Sequence, residues 1–233
     1  AIDVLLEGIK NIGKEDPVKL YHKCFELLAD SKRIEEAIKL LNNGIASKAV
    51  KDPSKLVISL ADYFDKAGKN SNAIDLLSIV LTSSLEIDRK SVYVKYDDLL
   101  FQQGNLPASI EVLNKALSDN SISNKHDFYK RYADRLERLD KTTEAIKKLK
   151  QGINDSNCQS TYSLYLDGSK IYLKHNQLDE AISLIREGTE SPSVGDKTTL
   201  FEQYAKLLAR NNEQPKAIKV LVDALNLKGI NAT

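Results

Sequence analysis

Ala37-Ile38-Lys39-Leu40-Leu41-Asn42-Asn43-Gly44-Ile45 is the stretch that decides how the rest of the chain reads. Close relatives of it begin at Ala1 (AIDVLLEGI), Ala73 (AIDLLSIVL), Ser109 (SIEVLNKAL), Ala145 (AIKKLKQGI), Ala181 (AISLIREGT) and Ala217 (AIKVLVDAL). The seven starts, 1, 37, 73, 109, 145, 181 and 217, are 36 residues apart with no insertion. Internal repetition at such a period is the signature of a stacked array, because one small unit cannot bury its own apolar face.

Within each copy the apolar residues keep helical spacing. Ile holds the second place every time, at Ile2, Ile38, Ile74, Ile110, Ile146, Ile182 and Ile218. Three residues on come Leu5, Leu41, Leu77, Leu113, Leu149, Ile185 and Leu221, and four further Ile9, Ile45, Leu81, Leu117, Ile153, Thr189 and Leu225. Positions i, i+3 and i+7 line one face of an α-helix. A small residue stands seven places after the leading residue at Gly8, Gly44, Ala116, Gly152, Gly188 and Ala224, with Val80 the exception. Gly costs helix stability in mid-helix, so its return predicts a neighbour packed closely there.

A second helical pattern precedes each copy after the first. Its anchors lie 16 residues upstream, at Tyr21, Val57, Tyr93, Tyr129, Tyr165 and Phe201. Leu28, Phe64, Leu100, Leu136, Tyr172 and Leu208 follow seven residues later. The turn falls at Lys32, Gly68, Gly104, Asp140, Asn176 and Asn212, mostly types that tolerate the left-handed end of a helix. Pro107 and Pro215 fit the start of a second helix, and Pro17 and Pro53 are expected just ahead of a first one. Tyr96, Tyr132 and Tyr204, one turn beyond their anchors, read as core residues.

The reading is a single array over 1–233: an orphan second helix at 1–11, then six helix–turn–helix repeats starting near 18, 54, 90, 126, 162 and 198. It resembles the tetratricopeptide repeat. The segment with Val57, Leu60, Ala61, Phe64, Gly68, Ala73 and Leu77 carries the resemblance most fully. Phe201, Tyr204, Ala205, Leu208, Asn212, Ala217, Leu221 and Ala224 also fit. Departures are the 36-residue period against the family's usual 34, the absence of Trp, and Phe25 and Asp97 where a small residue belongs. The resemblance implies an all-α solenoid wound as a right-handed superhelix, its first helices lining a concave groove.

Composition agrees with a folded chain: 42% hydrophobic and 29% charged residues over 233 positions. The net charge of +1 gives little attraction to a polyanion, so a nucleic-acid partner is not expected. No apolar run reaches the 18 or so residues of a transmembrane helix, and no membrane partner is expected. Two Cys cannot build a disulfide framework. Met is absent even at position 1, which sets the expectation of a fragment of a longer protein, and the expected compartment is the cytoplasm.

No nucleotide, zinc-protease or nucleophile-elbow motif is present, and His22, His126 and His175 have no metal-ligand spacing with Cys24 or Cys158. Cys24 falls in an inward phase, and Cys158 is expected exposed in a loop. No catalytic residue, metal or cofactor is assigned. By the resemblance, the groove carries the residues five and nine after each anchor. The first set is Glu26, Asp62, Asp98, Asp134, Lys170 and Lys206; the second is Asp30, Lys66, Gln102, Arg138, Lys174 and Arg210.

Acids mark the early groove and bases the late one. The residues singled out are Asp62, Asp98, Asp134, Arg138, Lys170, Lys174, Lys206 and Arg210. The last four suit a carboxylate-rich or phosphorylated segment. The plainer reading is a solvated face that keeps the chain soluble. The groove lacks the Asn that chaperone-binding members of the family use. The expected function is a non-catalytic scaffold holding a peptide or partner surface, acidic toward the late groove. Two alternatives stand beside it: a regulatory or sensor array of a larger signalling or defence NTPase-type protein, and an RNA-binding helical repeat.

Overall fold

The computed structural model describes residues 18–31 and 52–230, with Val4, Glu7, Arg33, Glu36, Lys39, Leu40 and Asn43 besides. The expected orphan helix at 1–11 thus lies outside the described residues except for two positions, as do Lys32 and Pro17. Among the described residues there are eleven named α-helices and no strand. The chain divides into two compact units, residues 1–116 and 117–233.

The first unit holds α1 (Val18–Asp30), α2 (Pro53–Lys66), α3 (Asn70–Thr82), α4 (Arg89–Gln102) and most of α5 (Leu106–Ser118). Asp52 caps α2, its carboxylate accepting from Lys55 N at 2.9 Å, and Pro53 is the first residue inside the helix rather than just before it. There the missing N–H has no intrahelical partner to lose. Asp88 caps α4 through Ser91 N at 3.3 Å. Helices α2 and α3 form a hairpin, and α4 packs on both. The core runs through Leu56, Val57, Leu60, Ala61 and Phe64 of α2 and Ala73, Leu76, Leu77 and Val80 of α3.

The second unit holds α6 (His126–Glu137), α7 (Thr142–Ile153), α8 (Tyr162–Lys174), α9 (Leu178–Glu190), α10 (Thr198–Arg210) and α11 (Gln214–Ile230). The hairpins are α6–α7, α8–α9 and α10–α11; α8 packs on α7, α10 on α9, and the first helices α6, α8 and α10 touch in succession.

One device closes every described hairpin. Gly68, Gly104, Asp140, Asn176 and Asn212 all take left-handed φ, between 57° and 72°. Each is followed by an N–H that reaches back to the helix: Lys69 to Phe64 O at 2.8 Å, Asn105 to Leu100 O at 2.9 Å, Lys141 to Leu136 O at 3.0 Å, Gln177 to Tyr172 O at 2.9 Å and Glu213 to Leu208 O at 2.9 Å. The turn residue's own N–H bonds a carbonyl three residues back, as Gly68 does to Asp65 O at 2.9 Å. This paired closure satisfies carbonyls that a helix end otherwise leaves open. Only Gly, Asn and Asp enter that conformation cheaply, which is why those types recur there.

The small residues of the second helices have an equally local cause. A Cβ on Gly152 of α7 would lie 2.6 Å from Cγ of Tyr129 in α6 and 2.9 Å from Leu164 Cδ1 in α8. On Gly188 of α9 it would lie 2.9 Å from Tyr165 Cγ and 3.0 Å from Leu200 Cδ1. One site therefore admits both the aromatic anchor of its own hairpin and the first helix of the next. Val80, the exception, belongs to the hairpin whose anchor is Val57, and both are fully buried. A smaller anchor leaves room for a larger partner.

Candidate binding face on the first helices

The predicted groove residues stand on first helices, save Arg138, which caps the end of α6, and neighbouring charges have claimed most of them. In the first unit Asp62 of α2 is ion-paired with Lys95 of α4, and Asp98 is half-buried on α4. In the second unit Asp134 of α6 accepts from Arg135 Nη1 at 2.6 Å and Arg138 Nε at 3.0 Å. Lys170 of α8 pairs with Asp167 at 3.0 Å, and Lys174 pairs with Glu137 of α6 at 3.1 Å. Lys206 and Arg210 of α10 are exposed and, among the described residues, form no ion pair. So the four bases expected to act together divide into two held by carboxylates and two presented to solvent.

Sequence reasoning passed over Lys130, Glu137 and Asp167. Lys130 of α6 lies 3.2 Å from Asp167 of α8, which also holds Lys170. The pairs Lys130–Asp167 and Glu137–Lys174 are each 37 residues apart. A search for opposite charges one repeat and one residue apart would have found both. Pairs with exposed partners, such as Lys170–Asp167, contribute little stability, but they fix where positive charge is available on α8.

Glu137 is different, because its side chain is only 8% exposed. Its Oε2 accepts from Lys174 Nζ at 3.1 Å and lies 3.3 Å from His175 Nε2, which is itself 3.0 Å from Thr142 Oγ1. Its Oε1 is buried without a hydrogen-bond partner among the described residues. Burial pushes the carboxyl pKa up, but the polar groups around it, Thr142, Lys174 and His175, outweigh it and hold the group below its ordinary value. A carboxyl held low in the folded state adds stability that is full above its unfolded pKa and is lost as pH falls through the folded one. Comparing Glu137→Gln with the parent by chemical denaturation, the stability gap should be widest above about pH 5 and close toward about pH 3. A gap that does not change with pH contradicts this reading of Glu137.

The two thiols are withdrawn from solvent. Cys24 is fully buried, and burial raises its thiol pKa. Cys158, expected exposed, is half-buried; burial, with Asp155 adding, pushes its thiol up to about 12, so it is not a thiolate at neutral pH. Asp155 is itself occupied, accepting from Tyr129 Oη at 2.8 Å and Asn157 N at 2.9 Å. Tyr132, read as core, lies half-buried under Lys148, whose Nζ is 4.4 Å from the ring centroid. Among the described residues no group of three or more His, Cys, Asp or Glu is placed to hold a metal ion, and no helix is long and apolar enough to cross a membrane.

No family model matches the chain, and no curated protein matches it in sequence. Solved structures similar to it do exist. PilF of Pseudomonas aeruginosa is 15% identical with a TM-score of 0.48, over 90% of this chain and 91% of that one. MamA is 16% identical with a TM-score of 0.46, over 74% of this chain and 96% of that one. YrrB, described as a TPR protein with an unusual peptide-binding site, is 14% identical with a TM-score of 0.41, over 98% of this chain and 94% of that one. The described residues form an all-helical fold of hairpins, and the solved structures similar to it include tetratricopeptide-repeat proteins.

Proposed function

We propose that this chain is a non-catalytic protein-interaction scaffold, and that the first-helix face of its second unit binds an acidic, extended segment of a partner. The observation that supports this reading is the pair Lys206 and Arg210. One turn apart on α10, both are exposed and unpaired, whereas Lys170 and Lys174 of α8 and Arg138 at the end of α6 are already held by carboxylates. A carboxylate or phosphate on the partner would meet these two cations with no internal ion pair to break. Arg210 can grip it with two parallel N–H bonds. Lys170 and Lys174, exposed at 71% and 65% of their side chains, extend the positive strip onto α8.

The test is a fluorescein-labelled peptide of alternating Glu and Gly, titrated with the full chain and followed by anisotropy. Binding should weaken as salt rises. Lys206→Glu with Arg210→Glu should reduce affinity by at least about tenfold, with Lys170→Glu adding less, because Asp167 already neutralises that lysine. The helical circular dichroism should not change, since both α10 residues are exposed. Equal affinity for the double variant and the parent would show the strip to be a solvated face only.

A further inference from the structure

The loops between hairpins are joined at one junction of the second unit and parted at the next. Asn124, just ahead of α6, accepts from Gln159 N with its Oδ1 at 3.3 Å, and its Nδ2 donates to Gln159 Oε1 at 3.4 Å. Lys125 N donates to Asn157 O at 3.0 Å, and Lys125 Nζ to Leu117 O at 2.8 Å. Thirty-six residues on, Ser160 replaces Asn124, Thr161 replaces Lys125 and Gly195 replaces Gln159. Every long side chain of the junction has been shortened or removed. Among the described residues no hydrogen bond joins 160–162 to 193–195. A cleft of about 360 Å³ lies between them, at the starts of α8 and α10, and it is within the size range of small-molecule sites. Thr161 in its wall is 4% exposed, and its hydroxyl has no hydrogen-bond partner among the described residues. Buried hydroxyls seldom go without one.

We propose that this cleft binds a neutral polyhydroxylated ligand, one or two sugar rings in size. Its wall carries the hydroxyl residues Ser160, Thr161, Tyr162, Ser193 and Thr199. Hydroxyls both donate and accept, so they match ligand groups that do the same. Tyr162, 39% exposed, adds an aromatic ring with an apolar body and a polar tip, suited to the C–H face of a sugar. No Lys, Arg or His lines the cleft, whereas Asp196 does. That carboxylate repels a phosphate or a second carboxylate, so an anion is the poorer fit. Neither Lys206 nor Arg210 belongs to the wall, and the site does not depend on the cationic strip.

The experiment titrates the whole chain with maltose, cellobiose, lactose and trehalose in turn and follows its backbone amides by nuclear magnetic resonance. At least one sugar should saturate, with shifts confined to 159–162 and 193–199. Gly195→Gln supplies the side chain that Gln159 supplies at the preceding junction. An added Cβ at Gly195 meets no atom within 4 Å, so this variant should keep the parent's unfolding midpoint. By filling the cleft it should weaken sugar binding at least about tenfold. Thr199→Ala, at an exposed position of the wall, should weaken binding as well. Lys206→Glu with Arg210→Glu should leave it unchanged, which separates this site from the acidic-segment site. The proposal is overturned if none of the sugars saturates, if the shifts fall elsewhere, or if the Gly195→Gln chain binds as the parent does. Inorganic phosphate or the peptide Gly-Asn-Gly-Gln-Gly moving the same amides at a lower concentration than any sugar would also overturn it, by giving the cleft to an anion or to a carboxamide.

Discussion

Gly152→Val is expected to destabilise the second unit by about 3 kcal/mol, toward the upper end of what overpacking a core costs. Intrinsic helix preference predicts the reverse sign. Valine replaces glycine in a helix with a gain of a few tenths of a kcal/mol, and an exposed site would show that gain. At this site even the first added carbon would sit 2.6 Å from Tyr129 Cγ, 2.8 Å from Cδ2 and 2.9 Å from Leu164 Cδ1. The ring cannot simply swing aside, because its hydroxyl donates to Asp155 Oδ2 at 2.8 Å. Leu164 is fully buried. The strain would therefore fall on the α6–α7 hairpin and on the seat of α8 together. Chemical denaturation of the single variant measures the loss. The double variant Tyr129→Val with Gly152→Val places at this hairpin the Val57 and Val80 of the α2–α3 hairpin, and it should recover part of the loss. A Gly152→Val chain as stable as the parent would mean that the contact yields and that the glycine is incidental.

That hairpin also shows how much of the fold could be read from residue order. The anchor, the small residue 23 places later and the turn glycine, asparagine or aspartate are each set by contacts within one hairpin or to the next. Local contacts at constant spacing leave a periodic trace, so the helices, the left-handed turns and the close approach at Gly152 and Gly188 were all visible in sequence. The exception at Val80 became intelligible only beside Val57, because compensation of volume has no periodic signature. The candidate site was less legible. The residues Lys170, Lys174, Lys206 and Arg210 read as one cluster when only their own positions were counted. Asp167 and Glu137 break that cluster in two, and they do so from positions outside the two groove registers. Side-chain reach, not helix phase, decides which lysine meets which carboxylate, and that information is absent from spacing alone. Cys158 was misplaced for a related reason. A loop that folds back to satisfy Tyr129 and Lys125 carries buried positions that hydropathy patterning does not flag.

Asp97 tests the same logic of paired replacement, this time with charge. It stands where α2, α6, α8 and α10 have Ala61, Ala133, Ser169 and Ala205, and it is fully buried. Its partner Ser109 stands where the second helices have Ala73, Ala145, Ala181 and Ala217, and its hydroxyl donates to Asp97 Oδ1. A carboxylate in such a place costs several kcal/mol unless donors meet it. The serine supplies one donor at the one described hairpin that needs it. Ser109→Ala should therefore cost about 1–3 kcal/mol, although alanine is the better helix former and the residue seen in the other hairpins. Asp97→Ala should cost a similar amount, because the serine hydroxyl then stays buried without its acceptor. Together the two substitutions give the α4–α5 hairpin the alanine pair of α2–α3 and α6–α7. The double variant should consequently be more stable than the sum of the single losses predicts, with a coupling of about 1–3 kcal/mol. Strict additivity in the four-variant denaturation cycle would mean that the two residues are buried side by side without depending on each other, and the reading of Ser109 as the answer to Asp97 would be wrong.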